Sequence, residues 1–426
     1  MEWNVALRSK RAIDIVYLDY AKAFDSVVHS KLIAKLNCYG VDHVLVKWIE
    51  AFLVDRSQFV RIGSSISNIC LVQSGVPQGS VLGPVLFIIY VNDIPRLQGV
   101  SVKLFADDTK LYTVLHDDCI SSVDLQKCLD EIYEWSTEWQ LKLAPAKCTV
   151  MRIQSGHSFT YSPSYHIGIN NLPVVTSCTD LGVSYDNRLS FSPHISKIVV
   201  KASQRAKLIL KCFRSRDSQL LMRAFCTFVR PLLEFSSVIW SPYTIADLNR
   251  IESVQRSFTR AIKNLRFSTY RERLINLRVD SLQCRRIKAD ILFCYKLLHN
   301  LVDVNSNEFL TLSQNTHLRG NKFKLVKHKP ASARDANFFV NRVVNIWNSL
   351  PDSIVTAESV SCFKHRLNNF DLSNFIVVQF REPISAHFCE PWHPFDIPCI
   401  SLPIILLFIV LLLWYCQINK QTNEIQ

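Results

Sequence analysis

Glycine is scarce in this chain, ten residues in 426, and methionine scarcer still, with three. So little glycine excludes a flexible, low-complexity polymer, and it makes each glycine a marker for a turn or a close backbone approach. The fourteen cysteines include no CxxC pair and no histidine partners at zinc-ligand spacing, which excludes the usual zinc modules. Met1 to Arg11 is short and polar and does not read as a signal peptide, so reduced thiols in a nuclear or cytoplasmic compartment are expected rather than disulfides. Hydrophobic residues make up 48% of the chain, which excludes disorder and provides for cores in two or three domains.

Positive charge, in contrast, is in surplus. The net charge is +13, and it points to a polyanionic partner, either nucleic acid or an anionic membrane surface. The surplus is local: residues 1–150 carry 15 Lys+Arg against 17 Asp+Glu, while residues 201–290 carry 19 against 7. That second stretch has a helical period, with one basic cluster at Arg205, Lys207, Lys211, Arg214 and Arg216 and another from Arg256 to Arg273. Interleaved aromatics such as Phe213, Phe225 and Phe258 suit a helical domain that grips phosphates; solvated helix faces would also be basic.

Three stretches carry chemistry. The second half of the run Ala12 to Asp19 has strand character and delivers Asp19 into the turn before a helix, while Asp25, farther on, reads as a helix cap. Gln73 to Ser80 interrupts the pattern ahead of an apolar helix from Val81 to Asn92; its glycines let the backbone approach a ligand, and Gln78 is polar where a plain linker needs nothing. Val102 to Leu115, VKLFADDTKLYTVL, reads as a β-hairpin with Asp107 and Asp108 at its tip, where paired carboxylates imply a solvated turn or a divalent-metal site. Lys147, in a loop entering a strand, is a solvated lysine or a proton donor. Residues 301–330 are polar and read as a linker.

In this order and spacing, Tyr17-Leu18-Asp19-Tyr20-Ala21-Lys22-Ala23-Phe24-Asp25, Gly75-Val76-Pro77-Gln78-Gly79-Ser80, Phe105-Ala106-Asp107-Asp108, Leu141 to Lys147 and Leu181-Gly182-Val183 resemble the palm motifs of reverse transcriptases from LINE-type, non-LTR retrotransposons, most like the jockey-like group. The resemblance covers most of residues 10–370. It implies RNA-directed DNA synthesis by two-metal phosphoryl transfer, with Asp19 and Asp107 as the main ligands of two Mg²⁺ ions (Mn²⁺ being an alternative) and Asp108 assisting. It further implies Phe24 against the incoming sugar, unless it is an ordinary core residue; Gly75, Pro77, Gln78 and Gly79 around template and nucleotide; Leu181 and Gly182 in the primer grip; and Lys147 as the acid for pyrophosphate. The implied partners are an RNA template, a DNA primer and deoxynucleotide triphosphates.

The expected fold is α/β: a palm with an antiparallel sheet over 1–190, a helical, basic thumb over 191–300, and a further helical region over 301–375. About eighteen residues precede Asp19, too few for the family's fingers and endonuclease, so a fragment is expected. An inactive remnant that still binds nucleic acid is the alternative. Within 398–416, the uncharged run from Ile400 to Cys416 is at the short limit for a membrane helix, and translated flanking sequence explains it equally. A membrane-anchored product is thus a third reading.

Overall fold

The computed structural model describes residues 2–115, 120–154, 163–304, 310–313 and 321–377. Helix α1 (Glu2–Arg8) leads into strand β1 (Ile13–Leu18), a 3₁₀ turn at Ala23–Ser26, and helices α2 (His29–Cys38) and α3 (His43–Leu53). Short strands β2 (Ser57–Gln58), β3 (Arg61–Ile62), β4 (Ser65–Ile66) and β5 (Cys70–Leu71) nest as two hairpins, β2 with β5 and β3 with β4. Next come α4 (Leu82–Val91), β6 (Ser101–Phe105), β7 (Asp108–Val114), α5 (Ile120–Glu138), β8 (Thr149–Ile153), β9 (His166–Ile167) with β10 (Asn170–Asn171), and the hairpin of β11 (Ser177–Asp180) and β12 (Val183–Asp186). The remaining elements are helices: α6 (Ser192–Cys212), α7 (Ser218–Phe228), α8 (Arg230–Glu234), α9 (Ser237–Trp240), α10 (Ile245–Arg260), α11 (Tyr270–Leu277), α12 (Leu282–Leu298), α13 (Ala333–Ala336), α14 (Phe339–Ser349), α15 (Asp352–Val355) and α16 (Val360–Asn368).

An apolar run broken only by a paired polar residue suits a strand covered on both faces. β1 is such a strand, flanked by β7 and β8 in an antiparallel sheet ordered β6-β7-β1-β8. Side chains alternate across it. Val16 and Leu18 pack with Leu32 and Leu36 of α2, Phe87 of α4 and Leu125 and Ile132 of α5. On the opposite face, Ile13 and Ile15 meet Ala6 and Leu7 of α1 and Tyr185 of β12. Asp14 is fully buried on this strand, opposite Arg152 in the register. Arg152 holds it with two bonds, Nε to Oδ1 at 2.6 Å and Nη2 to Oδ2 at 2.7 Å, and the Tyr165 hydroxyl donates a third at 2.7 Å.

Two further cores lie in the helical half. One gathers Phe225, Trp240 and Phe258 from α7, α9 and α10; the other gathers Tyr295, Trp347 and Phe363 from α12, α14 and α16. Side-chain caps start the helices: Asp217 for α7, Thr244 for α10, Thr269 in a capping box for α11, and Ser281 for α12. Buried Asp335 ties this half to the start of the chain, accepting from Asn4 Nδ2 at 3.0 Å and pairing with Arg8 Nε at 3.2 Å.

Two expectations are corrected. The polar stretch 301–330 is no mere linker, because Leu310 and Leu325 enter the last core and Asn321 Nδ2 donates to the carbonyls of Trp347 and Leu350, each at 3.0 Å. Asp25 does not cap α2: it lies in the 3₁₀ turn, and Val28 stands at the cap position without a side-chain bond. Among the described residues, no helix is long and apolar enough to cross a membrane. Ile400 to Cys416 lies outside the described residues.

Candidate active site

Asp19 is the first residue past β1, and the chain from 141 to 148 straps its backbone in place. The amide of Ala144 donates to the Asp19 carbonyl at 2.8 Å and that of Ala21 to the Lys142 carbonyl at 2.8 Å, while the Asp19 amide points at Cys148 Sγ, 3.4 Å away. The same strap brings Lys147 Nζ to 4.0 Å from Asp19 Oδ1, with both side chains largely open to water. At such exposure an ion pair contributes little to stability.

The acidic hairpin meets this point from the neighbouring strand. Phe105 pairs with Asp108, so Ala106 and Asp107 alone make the turn, and Ala106 takes a positive φ of 52° there. A left-handed alanine is strained by about 1–2 kcal/mol. Leu18 stands opposite Thr109, so continuing the register by one residue sets Asp108 beside Asp19 on the same face of the sheet. Burial pushes the Asp108 carboxyl above its ordinary value; the charges of Asp107, Asp180 and Asp19 push the same way and Lys110 opposes them. Among the described residues, no group of three or more His, Cys, Asp or Glu side chains is arranged to hold a metal ion. The donor set is nonetheless all oxygen and mutually repelling, which suits a hard divalent cation.

The Gly75–Ser80 loop packs against the 3₁₀ turn that follows Asp19. Gly75 has a φ of +93°, and a Cβ there would lie 2.7 Å from Asp25 Cα. That approach lets the Gly75 amide reach the Val27 carbonyl at 2.7 Å and the Val76 amide reach the Phe24 carbonyl at 2.8 Å. Gln78 Nε2 donates to Asp25 Oδ1 at 2.9 Å, which explains why Asp25 is not a helix cap. Pro77 accepts from the Ser80 hydroxyl at 2.7 Å, and Gly79, with a φ of +84°, faces open space. Phe24 is half-buried and stacks on Phe87 with centroids 4.4 Å apart.

Leu181 and Gly182 form the tip of the β11–β12 hairpin, with φ of 46° and 84°. This hairpin is bonded to the sheet that carries Asp108 through residues that sequence reasoning missed. Lys110, two positions beyond Asp108 and therefore on its face, pairs with Asp180; Tyr17 and Tyr185 share a hydroxyl–hydroxyl bond; and Cys178 lies 3.3 Å from the Tyr17 hydroxyl. Burial drives both tyrosines far above their ordinary pKa and keeps them neutral. Strand alternation from Asp108 would have found Lys110. Nothing local marks Asp180 as its partner, because the pair spans 70 residues.

Residues 4–185 match the family described as reverse transcriptase (RNA-dependent DNA polymerase). The probable RNA-directed DNA polymerase from transposon BS of Drosophila melanogaster is 28% identical over 281 residues, 60% of this chain and 30% of that protein. The RNA-directed DNA polymerase from mobile element jockey of the same species is 24% identical over 268 residues, 60% of this chain and 29% of that protein. The chain thus spans about 30% of the length of these curated relatives. A solved structure of apo telomerase from Candida tropicalis overlaps 65% of this chain and 47% of its own, at 12% identity and a TM-score of 0.38, a likeness too slight to carry an argument. Residues 4–185 are thereby identified as a reverse transcriptase domain, in a chain similar to the RNA-directed DNA polymerases of non-LTR retrotransposons such as jockey.

Proposed function

We propose that the chain works in RNA-directed DNA synthesis, joining deoxynucleotides from their triphosphates to a DNA primer on an RNA template. One observation carries this reading: Asp19 and Asp107-Asp108, 88 positions apart in sequence, come to one end of one sheet, where the ion pairs among the described residues are Lys147 at 4.0 Å from Asp19 and Lys110 with Asp180. In the reaction, the primer 3′-oxygen attacks the α-phosphorus, a P–O bond forms, the bond to the bridging oxygen breaks, and pyrophosphate leaves. Divalent ions, Mg²⁺ or Mn²⁺, would lower the charge on the attacking and leaving oxygens.

The chain's own part is to hold and orient. Asp19, Asp107 and Asp108 supply the oxygen ligands. Phe24, braced on Phe87, and the Gly75–Gly79 backbone with Pro77 and Gln78 shape the nucleotide and template side. Lys147, 4.0 Å from Asp19, gives a proton to the departing pyrophosphate oxygen in this reading, and the Leu181–Gly182 tip supports the primer. In this reading 1–190 is the palm, 191–300 the phosphate-gripping thumb and 301–375 its helical extension.

Primer extension on poly(rA)/oligo(dT) with Mg²⁺, comparing the chain with Asp107→Ala, tests the assignment. Extension that disappears in the variant supports it; equal extension by both proteins overturns it. The basic surplus in 201–290 favours a second reading, nucleic-acid binding without synthesis, which predicts steep salt dependence in filter binding and no extension by either protein.

A further inference from the structure

Among the large apolar side chains described in the helical half, Phe267 is the most bare, with 96% of its surface open. A lone exposed apolar residue is ordinary. This one, however, is mounted on a pinned loop. Residues 261–269 join α10 to α11; Ile262 and Leu265 drop into the core beneath, Lys263–Leu265 forms a 3₁₀ turn, the Ser268 amide donates to the Leu265 carbonyl at 3.2 Å, and Thr269 closes a capping box with Glu272. The ring is therefore held in water by a backbone fixed on both sides.

Its company is cationic. Arg260, Lys263 and Arg266 are all exposed, and the Arg266 guanidinium lies 6.0 Å from the Phe267 ring centroid. Glu272, the nearest acid in sequence, is engaged in the capping box. Burial lowers the pKa of Arg273 beneath the loop; Tyr270 opposes that shift, and the like charges of Arg260 and Arg256 add to it.

The loop also lies away from the catalytic sheet. α6 and α10 leave the palm side by side, joined near their starts by Ser192 to Asp247 and by Arg250 Nη1 to Ser196 Oγ at 3.2 Å. Sixteen residues of α10 carry the chain about 24 Å outward. At that far end α6 finishes too, with exposed Lys211 and Arg214, and Ile209 shares the core with Ile262.

We propose that this far end is a site for single-stranded nucleic acid, in which Phe267 stacks on a base while Arg260, Lys263 and Arg266 hold the flanking phosphates. An aromatic face accepts any unpaired base, whereas the bases of a duplex already stack on each other, so the ring selects for single strands. A membrane surface fits less well: Asn264, Arg266 and Ser268 surround a single ring, so the loop offers the lipid one apolar side chain rather than an apolar face. The site needs no catalysis, so it stands or falls apart from the polymerase reading.

Fluorescence anisotropy of the full chain with labelled oligo(rU), oligo(dT) and a duplex of equal length decides the matter. Phe267→Ala weakens binding of one or both single strands at least about fivefold at fixed salt, leaves the duplex affinity and the salt slope unchanged, and leaves thermal melting unchanged; Phe267→Trp restores binding. The two single-stranded probes separate an RNA ligand from a DNA ligand. Exchanging Arg260, Lys263 and Arg266 together for glutamine lowers the single-strand salt slope by about 2. The proposal is overturned if Phe267→Ala binds single strands as well as the parent, if it weakens the duplex equally, or if it loses only co-sedimentation with anionic vesicles. Failure of the parent chain to bind either single strand overturns it as well.

Discussion

Asp14 and Asp19 stand five residues apart at the two ends of one strand, and their surroundings are opposite. Asp14 has no solvent exposure and receives three hydrogen bonds, two of them from the charged fork of Arg152. Asp19 is 46% exposed, and its nearest cation stands 4.0 Å away on a side chain that is itself 71% exposed. A carboxylate completed by the protein serves the fold, because removing it leaves a buried charge without a partner. A carboxylate left incomplete and open, beside others of the same sign, has ligand-binding capacity to spare.

Asp19→Ala should break this contrast most strongly if it is wrong. Primer extension is expected to fall by about four orders of magnitude, ~5.5 kcal/mol in the barrier, with melting unchanged. A loss of activity that merely tracks a loss of folding would put Asp19 in the same class as Asp14. Asp14→Ala is expected to do the reverse, lowering stability in urea by about 3–5 kcal/mol because Arg152 and Tyr165 stay behind in the core. Lys147→Ala should reduce extension about a hundredfold, ~2.7 kcal/mol, and change stability by under about 0.5 kcal/mol; a large stability change would show that the exposed pair matters to the fold after all.

Gly75→Ala asks whether the loop beside the site tolerates any side chain. A strained φ together with a Cβ at 2.7 Å from backbone should lower stability by about 2 kcal/mol, read from chemical denaturation. The smallest effect is expected at His194, buried without an opposite charge where α6 meets β12 and accepting from the Ser184 amide at 3.3 Å. Burial, then the charge of Lys197, lowers its pKa from the ordinary 6.5. The unfolded chain therefore takes up the proton first as the medium is acidified. Stability is full above pH 6.5 and declines as pH falls below it, by a few degrees in Tm, and His194→Gln should flatten that part of the curve.

Much of the fold is legible because its causes are local. Alternation from Val102 to Leu115 and the two residues between the paired strands specify the acidic hairpin, and Asp217, Thr244, Thr269 and Ser281 announce their helices one residue ahead. What misled was distant. Asp25 has the look of a cap, but Gln78, 53 residues away, claims its carboxylate. Leu310 and Leu325 sit among scattered apolar residues that keep no helix or strand period, so nothing local signals the core they enter. The Lys110–Asp180 pair joins two hairpins that only the tertiary fold brings together.

Asp335 sets a timetable. Helix α1 covers one face of the catalytic sheet, yet the carboxylate that receives Asn4 lies 331 residues downstream. At synthesis rates of roughly 5–20 residues per second, α1 waits on the order of 15–65 seconds for that partner to leave the ribosome. During that interval α1 has the apolar contacts of Trp3, Ala6 and Leu7, the Tyr112 hydroxyl's bond to Glu2 and the Lys110 ammonium over the Trp3 ring to hold it against the sheet. The sheet that carries Asp19 and Asp108 is therefore complete well before the carboxylate that ties α1 to the helical half is made.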